Sequence, residues 1–438
     1  MSKVALIRLA KALRQRLNII TGKQRAPFVS YSRRINRVAT SQRICAMTFD
    51  DGPMRLNPRP SSTDKSLTEV LLETLEKHNA RGTFDVIGTT ANNYPDCDGK
   101  LGTPSWSGVK FDHYPCFLQD GKAGAVNCPD IIDRIIKGGH QITNHTYSHV
   151  LYGKKNIIYS KRHTLSSFSD AKSDLLKLDK RLQNKHGYKM GYSRPPHYVD
   201  RIEKGLDAYD LYALTGYQYL GASFDGAGWL PCSSYEEELQ AMTQPLENVL
   251  KNDPNALCGQ IIFQKDGFNM GLRTPVADAL DKQLDILDYY GYRVVTVDEL
   301  FEEYPFTDIG EYDVDFELFR EISKTHAIVY NDNRLRPDEL MTLGELAILI
   351  APREYSVDKR IQAIRNGEKR LGVLPSTHAY SGAIDWAVNN NLLKCKNPKD
   401  ANRKIVSSDL DALGDYIDKD KLLNKNLTRR NVLKALSK

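Results

Sequence analysis

From residue 44 onward the hydrophobic pattern switches repeatedly between short apolar runs and longer stretches with one apolar face. Residues 44–49 read as a buried strand, 67–78 as a helix with Leu67, Val70, Leu71 and Leu75 inward, and 82–87 as the next strand. The alternation continues with a helix over 131–137, an extended run at 141–144, a helix over 168–186 and an extended run at 217–224. A helix over 236–250, an apolar strand at 260–263, a helix over 276–290 and a last strand at 292–297 complete it. Strand and helix taken in turn predict a parallel sheet or barrel. The alternation ends near Tyr304, and helices and loops with charged connectors such as 394–404 follow.

A chain of 438 residues suits two or three domains, and this pattern divides it into a segment 1–43, an α/β domain 44–304 and a smaller, mainly helical region 305–438. The α/β domain carries a long loop-like insertion at about 94–128, whose Trp106, Tyr114 and Phe117 would either line a cleft or form the loop's own small core.

Charge changes the picture of the first segment. Residues 1–43 hold eleven Lys or Arg and no acid, more than the whole chain's net charge of +6, so the remainder carries a net −5. A mildly acidic body argues against a nucleic-acid-binding protein. In the leader, Leu6, Ala10, Leu13, Leu17 and Ile20 recur at helical spacing, with Arg8, Lys11 and Arg14 off that stripe. Such a basic amphipathic helix would lie on an anionic membrane surface, serve as an organelle-type presequence, or pack on its own domain. Arg8 and Lys11 interrupt the apolar run before it reaches the length of a secretory signal, and no segment is long and apolar enough to span a membrane, so compartment is left open. Seven cysteines with no Cys-x-x-Cys spacing give no zinc-ribbon or redox signature; Cys97, Cys116 and Cys128 share one loop-like stretch without requiring a disulfide.

Candidate chemistry gathers where the predicted strands end. Thr48-Phe49-Asp50-Asp51-Gly52-Pro53 closes the first strand, and His145 and His149, four apart, follow the strand at 141–144. Alone, the first is good turn chemistry and the second a pair sharing one face of a helical turn, solvated or capping as often as not. Together they supply the carboxylates and imidazoles with which a hydrolase binds an ion and activates water. Arg194 before Pro195-Pro196, Asp225 after Phe224 and Lys265 after Phe263 also fall at strand ends, where α/β folds place their active sites.

These residues lie in five ordered motifs, and residues 44 to about 304 resemble the polysaccharide deacetylases with a NodB-homology domain, the carbohydrate esterase family 4 group. The motifs are TFDDGP at 48–53, NHTYSH at 144–149, RPPHY at 194–198, DGAGW at 225–229 and IIFQKD at 261–266. The resemblance implies a distorted (β/α) barrel and a metal-dependent hydrolase that removes N-acetyl groups from N-acetylglucosamine-containing glycans. It implies Asp51, His145 and His149 as ligands of a divalent metal, zinc first among them, Asp50 as general base and Arg194 as the group orienting Asp50. A backbone N–H near His197 would serve the oxyanion, and Trp229, Phe263 and Asp225 would line the sugar site.

Departures from the family cluster on the leaving-group side. The family's proton donor is a histidine where Lys265 stands, supported by an aspartate where Gly228 stands. The double change is coherent, since an imidazolium needs a carboxylate to keep its proton near neutrality and a lysine does not. Lys265 is therefore expected to be the substitute acid. The competing expectations are a protein of the same fold that binds carbohydrate without turnover, its lysine facing water, and a related amide hydrolase with a non-sugar substrate. In the last region, a stretch from Asp315 through 328–337 to 341–347, and a second with 383–393 and later 427–433, look like two divergent S-layer homology modules, which would attach the protein to a cell-wall polymer; the first keeps the signature Glu (Glu345) but has Leu343 for Arg, and the second keeps Arg429 but has Asn431 for Glu. A helical accessory domain packed on the barrel is the alternative.

Overall fold

The computed structural model describes residues 27–61, 63–89, 122–153, 164–269 and 271–436. The amphipathic stripe of the leader, Trp106, Tyr114, Phe117, Cys97 and Cys116 lie outside them.

Nine strands form one parallel sheet: β1 (Arg34–Ile35), β2 (Ile44–Asp50), β3 (Thr83–Val86), β4 (Gln141–Asn144), β5 (Tyr192–Ser193), β6 (Gln218–Leu220), β7 (Phe224–Asp225), β8 (Ile261–Lys265) and β9 (Arg293–Val295). Their order is β1-β6-β5-β4-β3-β2-β8-β7, with β9 beside the start of β2. The sheet is curled, because β6 is next to one end of this order and β7 is the other end, yet they are joined only by residues 221–223, a span of roughly 14 Å at most. The expected single run at 217–224 is thus two strands. Between them Gly221 lies so close to Asn36 that a Cβ would stand 1.9 Å from its Oδ1. The expected distorted barrel is the architecture observed.

Helices cover the outside: α1 (Leu67–Lys77), α2 (Pro129–Lys137), α3 (Phe168–His186), α4 (Ala208–Thr215), α5 (Tyr235–Asn252), α6 (Val276–Tyr289) and α7 (Val297–Glu303), of which α4 and α7 are additions to the five that the pattern predicts. Local chemistry sets several boundaries. Ser167 accepts from the Asp170 N–H at the start of α3, and Gly187, at φ +65°, ends it. The strand expected at 292–297 stops at Val295, because Thr296 caps α7 by accepting from Glu299 N–H (3.3 Å) while Glu299 accepts from Thr296 N–H (3.1 Å). The chain also joins the sheet before residue 44. Arg34 and Ile35, within the segment set aside as a leader, pair with Tyr219 and Leu220.

Residues 305–436 pack against the beginnings of the strands. Ile44, Ala46, Ile261 and Val295 share one apolar cluster with Leu346, Ile384, Leu410 and Val432, at the end of the barrel remote from Asp50 and Lys265. The amino-terminal stretch stitches the two parts together: Ser30 N–H donates to Val329 carbonyl (3.0 Å), Asn331 N–H to Phe28 carbonyl (2.8 Å) and Val29 N–H to the Tyr380 hydroxyl (2.9 Å). Residues 341–347 and 427–433 face each other, with Met341 N–H on the Leu427 carbonyl (3.0 Å) and Arg429 Nη1 3.3 Å from Glu345 Oε2. Arg429 is fully buried, and its Nε also donates to the Leu335 carbonyl (2.8 Å).

Candidate metal and catalytic site

Parallel pairing sets four polar residues side by side at the carboxyl ends of adjacent strands: Lys265 on β8 opposite Asp50 on β2, Asp50 opposite Asp85 on β3, and Asp85 opposite Thr143 on β4. The next residues extend the row into a pocket. Asp51, at φ +81°, turns out of the strand direction, and Gly52 follows so closely under Asp266 that a Cβ would lie 1.9 Å from its Oδ2.

His145 and His149 are not on a helical turn. They sit in an irregular loop after β4 with Thr146 at φ +72° and His149 at φ +51°. The loop owes its shape to side-chain hydrogen bonds that replace a helical ladder. Asn144 Oδ1 accepts from Thr146 N–H (2.9 Å), Thr146 Oγ1 accepts from His149 N–H (3.0 Å), and Asp174 on α3 accepts from Tyr147 N–H (2.9 Å) and Ser148 Oγ (2.6 Å). The two rings come to 5.0 Å between centroids.

One carboxylate oxygen collects both imidazoles: Asp51 Oδ1 is 3.0 Å from His149 Nε2 and 3.3 Å from His145 Nε2. With metal–donor bonds of about 2.0–2.1 Å, tetrahedral neighbours stand roughly 3.4 Å apart, so the spacing fits a small divalent ion. The tautomer fits too. His145 Nδ1 donates to the Arg194 carbonyl (2.9 Å), which leaves Nε2 as the ligating atom. Asp51, His145 and His149 are all buried, their donor atoms within 4.8 Å of one another. Burial alone would lower the His145 pKa, but the carboxylates of Asp85, Asp51 and Asp50 outweigh it and hold the ring well above its usual range. The same negative potential attracts a cation.

Asp50 stands beside this set, its Oδ2 3.9 Å from His145 Nε2, and pairs through Oδ1 with the Arg194 guanidinium. Burial drives Asp50 above the ordinary carboxylate range, against the opposing pull of Arg194 and His145. Arg194 is itself fixed by Thr48 Oγ1 (3.1 Å) and the carbonyls of Gly221 (2.8 Å) and Leu220 (3.3 Å), with the rings of Tyr198 and Phe263 each 5.5 Å from its Cζ. Its donors are therefore pre-aimed at Asp50. Lys265 does not face water: it is 9% exposed and its ammonium pairs with Asp51 Oδ2, the oxygen turned away from the histidines.

On the open side, His197 is exposed at φ +54°, its ring centroid 5.8 Å from that of His149. Trp229 is 39% exposed, and its Nε1 donates to Asp225 (3.2 Å), which also accepts from Ala227 N–H (2.9 Å). Asp225 thus orients the Trp229 loop. Gly228, at φ +80°, could not take an aspartate without strain, since a Cβ there would lie 2.7 Å from Met242 Sδ.

Three carboxylates of the site went unnoticed in the sequence. Asp85 lies under His145, Asp174 holds the histidine loop, and Asp266 packs on Gly52, accepting from Thr68 Oγ1 (2.8 Å). Burial pushes Asp266 up to about 7, with the Thr68 hydroxyl opposing. Asp85 had a signal: Thr48 and Asp50, Thr83 and Asp85, and Gln141 and Thr143 repeat one polar alternation on three neighbouring strands.

A curled parallel sheet carries at its strand ends a buried carboxylate–histidine–histidine set that could hold a metal ion. Residues 37–204 match the polysaccharide deacetylase family model. The matched stretch holds the first three motifs, whereas Asp225, Trp229 and Lys265 lie beyond it. The chain is similar to a peptidoglycan-N-acetylglucosamine deacetylase of Bacillus cereus, 26% identical over 257 residues, which make up 59% of this chain and 68% of the relative. It is also similar to the peptidoglycan-N-acetylglucosamine deacetylase PgdA of Listeria monocytogenes, 23% identical over 269 residues, 61% of this chain and 41% of that one. Among solved structures, the chitin deacetylase of Colletotrichum lindemuthianum matches with 22% identity and a TM-score of 0.40, over 61% of this chain and 90% of that one.

Proposed function

We propose that this protein removes N-acetyl groups from an N-acetylglucosamine-containing polysaccharide or oligosaccharide by divalent-metal-dependent hydrolysis, with a bacterial cell-wall glycan as the substrate class. The observation that carries the proposal is the convergence of Asp51, His145 and His149 on one point beside Asp50. The names of the curated relatives support the choice of polymer.

A divalent ion bound to Asp51, His145 and His149, zinc by the nature of its donors, would polarise the amide carbonyl and the attacking water. Asp50 takes the proton of that water, and Arg194 keeps its carboxylate aimed at the reacting side. A backbone N–H near His197 would donate to the developing oxyanion. Lys265, at Asp51 Oδ2, returns a proton to the amine as the C–N bond breaks. Trp229, steadied by Asp225, offers a face to a sugar ring, with Phe263 beneath Arg194 walling the site.

The test is acetate release from N-acetylglucosamine oligomers and from peptidoglycan by zinc-loaded protein, by chelator-treated protein and by Asp50→Asn. Release that needs zinc and collapses in Asp50→Asn is expected. One observation favours a second function, carbohydrate binding without turnover: the Lys265 ammonium occupies a carboxylate that the metal also needs. Zinc and glycan bound with no acetate released would replace the first proposal with the second.

A further inference from the structure

Behind His145 stands a carboxylate with no part in the chemistry above. Asp85 is fully buried at the end of β3. Its Oδ1 accepts from Thr143 Oγ1 (2.6 Å). Its Oδ2 lies 2.8 Å from His145 Nδ1, but the ring N–H points at the Arg194 carbonyl, and Oδ2 accepts no hydrogen bond among the described residues.

Such an oxygen is expensive to bury unless positive charge lies beside it. The adjacent group is the imidazole edge of His145, which gains positive character when a cation is held at its other nitrogen. The surroundings point the same way: four buried carboxylates, Asp50, Asp51, Asp85 and Asp266, meet two cationic side chains, Arg194 and Lys265. Lys265 neutralises part of the charge on Asp51 and so weakens it as a ligand. Asp85 restores negative charge on the opposite side of the same centre.

Resting on the metal site proposed above, we propose that Asp85 is a positioning residue of that site. Its carboxylate, 2.8 Å from His145 Nδ1, raises the donor strength of His145 and offsets the charge that Lys265 withdraws from Asp51. Carboxylates placed behind a ligating imidazole change metal affinity by about 10–100-fold when removed.

The experiment measures zinc affinity of the full chain by competition with a chromophoric chelator, alongside the ring-nitrogen NMR shifts of His145. Asp85→Asn keeps the size and the Thr143 contact but removes the charge. It is expected to weaken zinc binding about 10–100-fold at unchanged stoichiometry and to shift the His145 Nδ1 resonance, with the double variant Asp85→Asn/Lys265→Met regaining most of the affinity. Thr143→Val, which frees Asp85 without removing it, is expected to weaken binding by a smaller factor and covers the case in which Asp85→Asn does not fold. Wild-type affinity with an unmoved Nδ1 resonance in either variant overturns the role of Asp85, as does a double variant no tighter than Asp85→Asn. This readout is independent of acetate release: the affinity loss in a protein that releases none would sink the proposed hydrolysis and leave Asp85 in its role. A wild-type protein that binds no zinc overturns both.

Discussion

The Lys265 ammonium rests on one carboxylate oxygen of Asp51 while the other oxygen faces two imidazoles, 3.0 Å from His149 Nε2 and 3.3 Å from His145 Nε2. Asp51 is thus divided between a cationic side chain and the donors of a metal site. The division leaves one oxygen directed at the two imidazoles and holds the lysine beside them.

Lys265→Met should separate the two effects. Loss of the proton donor is expected to cut acetate release about 100-fold or more, while release of Asp51 from its ammonium tightens zinc binding. Turnover equal to wild type at saturating zinc would remove Lys265 from the proton path. Restoring histidine is not a simple matter of adding its aspartate, because a side chain at Gly228 meets Met242 at a positive φ.

Asp50→Asn tests the base. Arg194 retains Thr48 and two backbone carbonyls as partners, so the variant should fold and bind zinc with unchanged stoichiometry. Acetate release should fall by about 100–10,000-fold, the range general base catalysis supplies. A fall of less than tenfold would assign the proton to another group.

The clustering of Asp50, Asp51, His145 and His149 was legible from residue types and order, because the strand ends were readable. What was not legible depended on partners distant in sequence. The spacing of His145 and His149 suits a helix equally well, and only Asn144 and Asp174, the latter on another element, select the loop. Asp85 sat unnoticed among apolar neighbours because its meaning comes from register with Asp50 and Thr143. Arg34–Ile35 is too short to show a strand pattern and is extended because Tyr219 and Leu220 pair with it.

In the carboxyl-terminal region, Arg429 and Glu345 complete each other within a buried cluster that includes the Tyr330 ring, 4.9 Å from Arg429 Cζ, and its hydroxyl on Glu345. Arg429→Met should cost about 3–5 kcal/mol in denaturant unfolding, because it strands Glu345 without its cation. Adding Glu345→Gln should recover part of that loss. Equal stability of Arg429→Met and wild type would mean that the arginine is not a structural tie.

His140 provides a pH dependence remote from the metal site. It is 7% exposed at the turn into β4, its Nδ1 accepts from Gly82 N–H (3.0 Å), and its ring packs edge-on to Phe84 at 5.7 Å. Burial, with Arg81 assisting, lowers its pKa from 6.5 to about 4. Between these values the unfolded chain holds a proton that the folded chain does not, so this residue's contribution to stability falls as pH drops from about 6.5 to about 4 and is constant above. The loss should be about 1–3 kcal/mol. His140→Asn keeps an acceptor for Gly82 and removes the titration, so its unfolding free energy should fall less than that of wild type over this interval. Parallel stability curves for the two proteins from pH 7 to 4 would show that His140 is protonated as easily in the fold as outside it.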